Sequence, residues 1–154
     1  MLKVLIADDE EKICQLIIKL INWEEMGLKI AATASNGIEA LEQAKICKPE
    51  ILITDIRMPG IDGMELIRKV KEKLPDTEII IISGYRHFEY AQTAIRYGVR
   101  NYLLKPIKKE ELRDTLQKIA DIYREKNEQL NFEERVRLAL KNDAGKLRTS
   151  FISR

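Results

Sequence analysis

Residues 51–66 read ILITDIRMPGIDGMEL, a strand, a polar turn and the start of a helix. The run that ends at Asp55 is apolar without alternation and rich in β-branched residues, which is typical of a parallel strand covered on both faces. A proline and two glycines then break the pattern, and the apolar spacing after them predicts a helix over 62–73. The stretch therefore places a carboxylate at the carboxyl end of a buried strand.

Further units of the same kind lie on either side of this one. Apolar runs predict strands at 2–7, 28–34, 50–55, 78–83 and 101–105, with helical patterns at 10–22, 36–47, 62–73, 87–97 and 109–125. The first helix is expected to bury a stripe of Ile13, Leu16, Ile17 and Leu20, and the second to be capped by Asn36 with Glu39. Five strands alternating with five helices predict an α/β fold with a doubly wound, five-stranded parallel sheet.

Composition narrows the class of protein. The chain has 154 residues, 45% of them hydrophobic and 34% charged, which suits one globular domain with a tail. The formal net charge of +2 is too small to indicate a nucleic-acid or membrane binder. No apolar run reaches membrane-spanning length, and the N-terminus MLKVLIADDE turns acidic too early for a signal peptide. We therefore expect a cytoplasmic protein.

Cys14 and Cys47 lack metal-ligand spacing and are expected to be reduced core residues.

The strand pattern stops near residue 125, so we expect a domain over 1–125 and a helical extension over 126–154. The extension carries seven basic and four acidic residues, and a solvated helical face explains this charge better than a site for an acidic or nucleic-acid partner. Asn131 with Glu134 predicts the start of a second helix there, and Leu147 and Phe151 continue a sparse apolar stripe. This pattern is expected of a linker or the start of a coiled coil, cut from a longer protein.

Polar side chains follow the strands where a doubly wound sheet binds its ligands, at the carboxyl ends. They are Asp8, Asp9, Asp55, Ser83 and Lys105. Clustered carboxylates repel one another unless a cation lies among them, and Mg²⁺ is the cation that carboxylates and phosphate oxygens share. A lysine and a hydroxyl beside such a cluster can orient a phosphoryl group during transfer to a carboxylate.

Each of these residues has a plainer interpretation when it is taken alone. Asp8 or Asp9 could simply cap the helix that starts at Glu10, Ser83 could be a loop hydroxyl, and Lys105 a surface lysine. The joint placement of all five at strand ends favours the site.

Four segments carry a resemblance to a known family: VLIADDE, ILITDIRMPGIDGMEL, IIIISG and YLLKPI. Over about residues 1–125 the chain resembles the response-regulator receiver domains of two-component signalling, which implies a flavodoxin-like receiver fold. The resemblance implies Asp55 as the acceptor of a phosphoryl group from a sensor histidine kinase. It also implies a Mg²⁺ site formed by Asp8, Asp9, Asp55 and the backbone carbonyl of Arg57. Ser83 and Tyr102 are then the switch residues, Lys105 the lysine of the site, and Lys105–Pro106 a cis peptide bond.

The stretch SGYRHFEYAQTAIRYGVRNYLLKPI, residues 83–107, looks closest to receivers that precede AraC-type helix-turn-helix domains. This finer resemblance implies a transcriptional output through a DNA-binding domain absent from this chain, with a homodimer as a possible state. The expected output surface is the helix 4–strand 5–helix 5 face. A receiver of this kind is not an enzyme, although it promotes its own phosphorylation and dephosphorylation.

Other classes explain the same residues less well. A haloacid-dehalogenase-type phosphatase needs an aspartate two residues after its nucleophile, where this chain has Arg57. A flavodoxin-like flavin-binding domain would place FMN phosphate against an acidic edge. Gly60–Gly63 matches the GXXG loop of KH domains, but four residues are too few to outweigh the interpretation as a turn. A stand-alone receiver would differ only in the sequence after residue 154. His87, the only histidine, is expected to be a surface residue.

Overall fold

The structure is a computed structural model, and it describes residues 1–84 and 88–143. The strands are β1 (Leu2–Ala7), β2 (Leu28–Ala34), β3 (Ile51–Thr54), β4 (Glu78–Ser83) and β5 (Asn101–Leu104). The helices are α1 (Glu11–Leu20), α2 (Gly37–Cys47), α3 (Gly63–Lys73), α4 (Phe88–Arg96) and α5 (Lys109–Asp143). All strand pairs are parallel, and the order across the sheet is β2-β1-β3-β4-β5. The expected doubly wound sheet is therefore confirmed.

Burial along the strands follows their place in the sheet. Every residue of β3 and β4 is buried, whereas the edge strands β2 and β5 are partly open. Central parallel strands are covered by helices on both faces, which explains why their sequences are apolar without alternation. The core therefore lies on the two faces of the three central strands.

Helix α1 buries only part of the apolar stripe that its sequence predicts. Cys14 and Ile17 are buried, but Leu16 is 41% exposed, so the prediction for Leu16 is wrong. The helix also starts at Glu11 and ends at Leu20, inside its expected bounds. The Cys14 thiol donates to the backbone carbonyl oxygen of Asp8 at 3.7 Å, so this face of the helix lies against the end of β1, and Leu16 lies outside it.

The predicted Asn36 cap of α2 is confirmed, whereas Glu39, expected at the capping-box position, bonds to Ser35. Oδ1 of Asn36 accepts a hydrogen bond from the backbone N–H of Glu39 at 2.8 Å, and the Glu39 carboxylate accepts from the Ser35 hydroxyl at 3.1 Å. Asp62 caps α3 in the same way, through the N–H of Glu65 at 2.9 Å. Both helices therefore begin at a fixed residue next to the carboxyl edge of the sheet.

Helix α5 is longer than predicted. It runs without a break from Lys109 to Asp143, so the second helix expected to start at Asn131 is wrong. No glycine or proline interrupts this stretch, and the N-cap signal of Asn131 is too weak to break a run of good helix formers. Residues 1–120 form one compact unit, and residues from 121 onward form another. His87, Leu147 and Phe151 lie outside the described residues.

Within residues 1–84 and 88–143, none of the helices combines the length and apolarity that crossing a bilayer requires.

Candidate functional site

Sheet order brings two of the candidate carboxylates together. β1 and β3 are neighbours with Ala7 opposite Thr54, so the next residues, Asp8 and Asp55, emerge side by side. The backbone N–H of Asp55 donates to the carbonyl oxygen of Ala7 at 3.0 Å, which continues the ladder past the last paired residues. Asp8 is 3% exposed and Asp55 is 6% exposed. The two acids are therefore buried neighbours at the carboxyl edge of the sheet.

Lys105 joins this pair from the far side of β4. Its Nζ lies 3.1 Å from Oδ2 of Asp8 and 3.0 Å from Oδ2 of Asp55. Burial by itself lowers the pKa of Lys105, but the hydrogen bonds and charges of Asp55 and Asp8 outweigh burial, so the pKa is raised. The lysine is therefore held as a cation between the two acids.

The second oxygen of each acid is held by the backbone. Oδ1 of Asp8 accepts from the N–H of Glu10 at 2.9 Å, and Oδ1 of Asp55 accepts from the N–H of Ile56 at 2.7 Å. The bond to Glu10 lies just ahead of α1, so Asp8 also stabilises the chain entering that helix. Burial raises the pKa of the Asp8 carboxyl, although the bond to Glu10 and the charge of Lys105 oppose the rise.

Asp9 is exposed, unlike the buried pair Asp8 and Asp55. Asp8, Asp9 and Glu10 each offer a carboxylate oxygen within 4.8 Å of the others, and Asp9 and Glu10 are exposed. This arrangement could hold a hard cation at the surface of the site. Glu10 had no assigned role in the sequence interpretation, although the acidic run DDE already pointed to it. Arg57 lies in the loop after Asp55 with its side chain exposed.

Ser83 is the last residue of β4 and is fully buried. Its carbonyl oxygen accepts from the N–H of Lys105 at 2.8 Å, so β4 and β5 stay paired up to the lysine. Tyr102 on β5 is half-buried against the core and shares a side-chain hydrogen bond with Ser83. Burial raises the pKa of Tyr102, while the bond to Ser83 opposes the rise. The two residues expected to form a switch are therefore in contact.

The loop after Asp55 begins and ends under close constraint. The N–H of Gly63 donates to the carbonyl oxygen of Ile56, and a Cβ at Gly63 would overlap the carbonyl oxygen of Asp55. The start of α3 therefore packs directly on the backbone of the acid. The sequence interpretation had not singled out Gly63 for this role, although a glycine directly after a helix cap was a usable signal.

The peptide bond between Lys105 and Pro106 is cis, the isomer that the resemblance implies.

Known proteins are similar to this chain in both sequence and fold. The family model described as "Response regulator receiver domain" matches residues 4–117. The transcriptional regulatory protein YesN of Bacillus subtilis is 40% identical over 139 residues, which are 86% of this chain and 38% of that protein. The chain thus spans well under half the length of that relative.

Two solved structures extend the comparison. The receiver domain of AraT, a response regulator from Geobacillus stearothermophilus, is 41% identical with a TM-score of 0.78, covering 82% of this chain and 98% of that one. A two-component transcriptional regulator AraC from Clostridium phytofermentans is 36% identical with a TM-score of 0.73, covering 79% and 94%. The sheet order, the site at its carboxyl edge and these matches lead to one conclusion: the chain belongs to the response-regulator receiver domain family of two-component systems.

Proposed function

We propose that Asp55 accepts a phosphoryl group from a sensor histidine kinase in a Mg²⁺-dependent reaction, and that the chain passes this change on to a transcriptional output. The observation that carries the proposal is the position of Lys105, whose ammonium group contacts Asp55 and Asp8 together. A buried acid next to another acid and a mobile cation is suited to phosphoryl transfer, which depends on positioning and charge compensation.

Asp55 is the nucleophile in this proposal. A carboxylate oxygen of Asp55 forms a bond to phosphorus while the bond between phosphorus and the kinase histidine nitrogen breaks. The Ile56 N–H holds Oδ1 and fixes the plane of the carboxylate, so that attack needs little reorientation. Lys105 neutralises negative charge at the oxygens during transfer. Its long stem lets the ammonium group move from Asp55 Oδ2 to a phosphoryl oxygen.

The residues present fit a Mg²⁺ ion. We assign its binding to Asp8, Asp9, Asp55 and the backbone carbonyl of Arg57, all of them hard oxygen donors. The exposure of Asp9 leaves one side of the site open to water, as Mg²⁺ binding favours. When bound, the ion supplies positive charge to the oxygens of the transferred group. Glu10, within 4.8 Å of both neighbouring acids, is available to hold a water of the ion.

The proposed output surface is the face formed by α4, β5 and the part of α5 up to Ala120, all within one compact unit. A phosphoryl group on Asp55 draws the Ser83 hydroxyl toward it, and this changes the contact between Ser83 and Tyr102. Tyr102 would then adopt a second position, and phosphorylation would shift the population of the chain from one packing of that face to the other. A homodimer formed through the face, and a DNA-binding domain outside this chain, would then produce the transcriptional response in the cytoplasm. The relative named as a transcriptional regulatory protein supports this output.

Arg57 argues against the alternative that this chain hydrolyses small phosphate esters. It occupies the position where an aspartate-nucleophile phosphatase keeps its general acid, and its guanidinium group cannot give up a proton at neutral pH. A protonatable leaving group would lack an acid there. We therefore propose no separate enzymatic activity beyond phosphorylation and dephosphorylation of Asp55 itself.

The test is phosphorylation of the purified chain by a small acyl phosphate with Mg²⁺, followed by intact-mass measurement. A single phosphoryl adduct is expected on the wild type and none on Asp55→Asn. The matched control is Asp62→Asn, since Asp62 is exposed and an asparagine caps α3 as well as an aspartate does. Equal labelling of Asp55→Asn and wild type would overturn the assignment.

A further inference from the structure

We infer that the first turn of α2 positions the phosphoacceptor loop, and that it does so through Gly37 and Ile38. The phosphoacceptor loop is defined here as residues 56–62, which connect Asp55 to α3. The inference rests on the function proposed above, since it gives α2 a part in placing Asp55 and the Arg57 carbonyl. Gly37 and Ile38 touch neither substrate nor metal in this scheme and are positioning residues.

Gly37 packs on the backbone of the loop. It is buried, and its N–H donates to the carbonyl oxygen of Pro59 at 3.4 Å. A Cβ at Gly37 would overlap the carbonyl oxygen of Ile61 and lie 2.7 Å from its carbonyl carbon, a separation that real Cβ atoms essentially never show. Because the obstacle is backbone and not the end of a flexible side chain, an alanine there must displace either the loop or the helix.

Ile38 packs on the same loop at Gly60, the residue before Ile61. Its Cδ1 would lie 3.2 Å from a Cβ at Gly60, and Gly60 has a φ of +82°. The side chain of Ile38 is nevertheless 51% exposed. A glycine at position 60 therefore serves two purposes: it adopts the left-handed conformation at little cost, and it leaves room for the isoleucine. The first turn of α2 thus covers the loop with a backbone contact and a side-chain contact.

The neighbouring contacts make this turn a firm support. Asn36 and the Ser35–Glu39 pair fix the N-terminus of α2, so Gly37 and Ile38 cannot easily withdraw. The ends of the loop are held by the Ile56 N–H on Asp55 and by Gly63 packing on the Asp55 carbonyl. Between these ends, α2 supplies the lateral contacts described above.

A displaced loop would act on the metal site through geometry. Arg57 lies inside the loop, so the position of its carbonyl oxygen changes with that of the loop backbone. Mg²⁺ demands near-ideal octahedral geometry at about 2.0–2.1 Å, so a small displacement of one oxygen lowers affinity. Residues that orient the ligands of a metal typically change its affinity by about 10–100-fold when they are replaced.

The experiment uses two matched pairs of variants in the full chain. Ile38→Ala is paired with Ile46→Ala, because both isoleucines are exposed on α2, by 51% and 76%, and only Ile38 packs on the loop. Gly37→Ala is paired with Gly27→Ala. Gly27 has a φ of +74° and open space around it, so its replacement costs stability by backbone strain alone. Measurements are the Mg²⁺ dissociation constant by calorimetry, amide exchange of residues 56–62, and the rate of phosphorylation by an acyl phosphate.

Gly37→Ala is expected to weaken Mg²⁺ binding by at least about tenfold, and Ile38→Ala by about two- to fivefold with faster exchange in the loop. Both control variants should keep the wild-type dissociation constant, even though Gly27→Ala lowers the thermal midpoint. Since Ile38 is exposed, its alanine variant will fold. If Gly37→Ala does not fold, Ile38→Ala alone tests whether α2 positions the phosphoacceptor loop. Unchanged Mg²⁺ binding and loop exchange in Ile38→Ala would overturn the inference and leave the proposed function standing. A wild type that neither binds Mg²⁺ nor takes up a phosphoryl group would overturn both.

Discussion

The ammonium nitrogen of Lys105 lies 3.0 Å from Oδ2 of Asp55, although β4 separates the two strands that these residues follow. A side chain with four methylene groups can bridge that gap, and both ends of the contact are largely shielded from water, with exposures of 19% and 7%. Shielding strengthens the attraction. Asp8 shares the same cation. Lys105 is therefore positioned to offset the negative charge of both buried acids.

Lys105→Met is expected to slow phosphorylation of Asp55 by at least about tenfold, because the oxygens of the transferred group lose their mobile positive charge. The rate of adduct formation with an acyl phosphate, followed by intact mass, measures the effect. Lys108→Met is the control, since Lys108 is exposed and lies three residues along the same segment. Matching rates for the Lys105 variant and the wild type would remove Lys105 from the reaction.

Mg²⁺ is expected to stabilise the unphosphorylated chain. At a concentration ten times the dissociation constant, binding to the folded state alone adds about 1.4 kcal/mol to the free energy of unfolding. Asp9→Ala should abolish the rise in thermal midpoint, and Glu10→Gln should reduce it. Glu11→Ala, an exposed acid on the first turn of α1, should leave it intact. A rise in the midpoint that survives in Asp9→Ala would exclude Asp9 as a ligand.

Asp8→Asn is expected to stabilise the Mg²⁺-free chain at neutral pH. Burial raises the pKa of Asp8 in the folded state. Its contribution to stability is therefore complete below the ordinary aspartate pKa of about 3.9 and is lost as the pH rises through the folded value. The neutral amide avoids that loss, so the thermal midpoint of Asp8→Asn at pH 7 should lie above that of the wild type.

Thermal unfolding of wild type and Asp8→Asn across the acid and neutral ranges, with a chelator present, measures this difference. The gain should shrink toward zero as the pH falls below the ordinary aspartate value, because both chains are then uncharged at position 8. A lower midpoint for Asp8→Asn at pH 7 would mean that the attraction of Lys105 outweighs burial.

A phosphoryl mimic bound at Asp55 is expected to change amide exchange in residues 83–108 and at the start of α5. The reason is that Ser83 and Tyr102 are in contact, so movement of the hydroxyl changes the packing of β5. Part of that span, residues 85–87, lies outside the described structure. Ser83→Ala should weaken the response, whereas Leu16→Ala, at an exposed position on α1, should preserve it. Changes confined to α1 and α2 would show that the output face is elsewhere.

The order of strands and helices could be predicted because it depends on local patterns. Runs of buried residues, the cap at Asn36 and the breaks at prolines and glycines are visible within a few positions of one another. The errors occurred where the local pattern was ambiguous. Leu16 and Cys14 were both expected in the core, and tertiary packing buried Cys14 but left Leu16 exposed. Asn131 carried a cap signal that the continuous α5 overrode.

The sequence by itself determined which chemical groups stand at the strand ends, because the end of a strand is a local property and the motifs there are specific. Only the tertiary structure decided how they meet. Lys105 is 97 residues from Asp8 and 50 residues from Asp55 in the sequence. These residues come into contact because of the order of the strands in the sheet. The tertiary structure also buries Asp8 while leaving Asp9 exposed, and it packs Gly37 on the carbonyl of Ile61. Such contacts join segments that are remote in sequence, so no pattern within one segment specifies them.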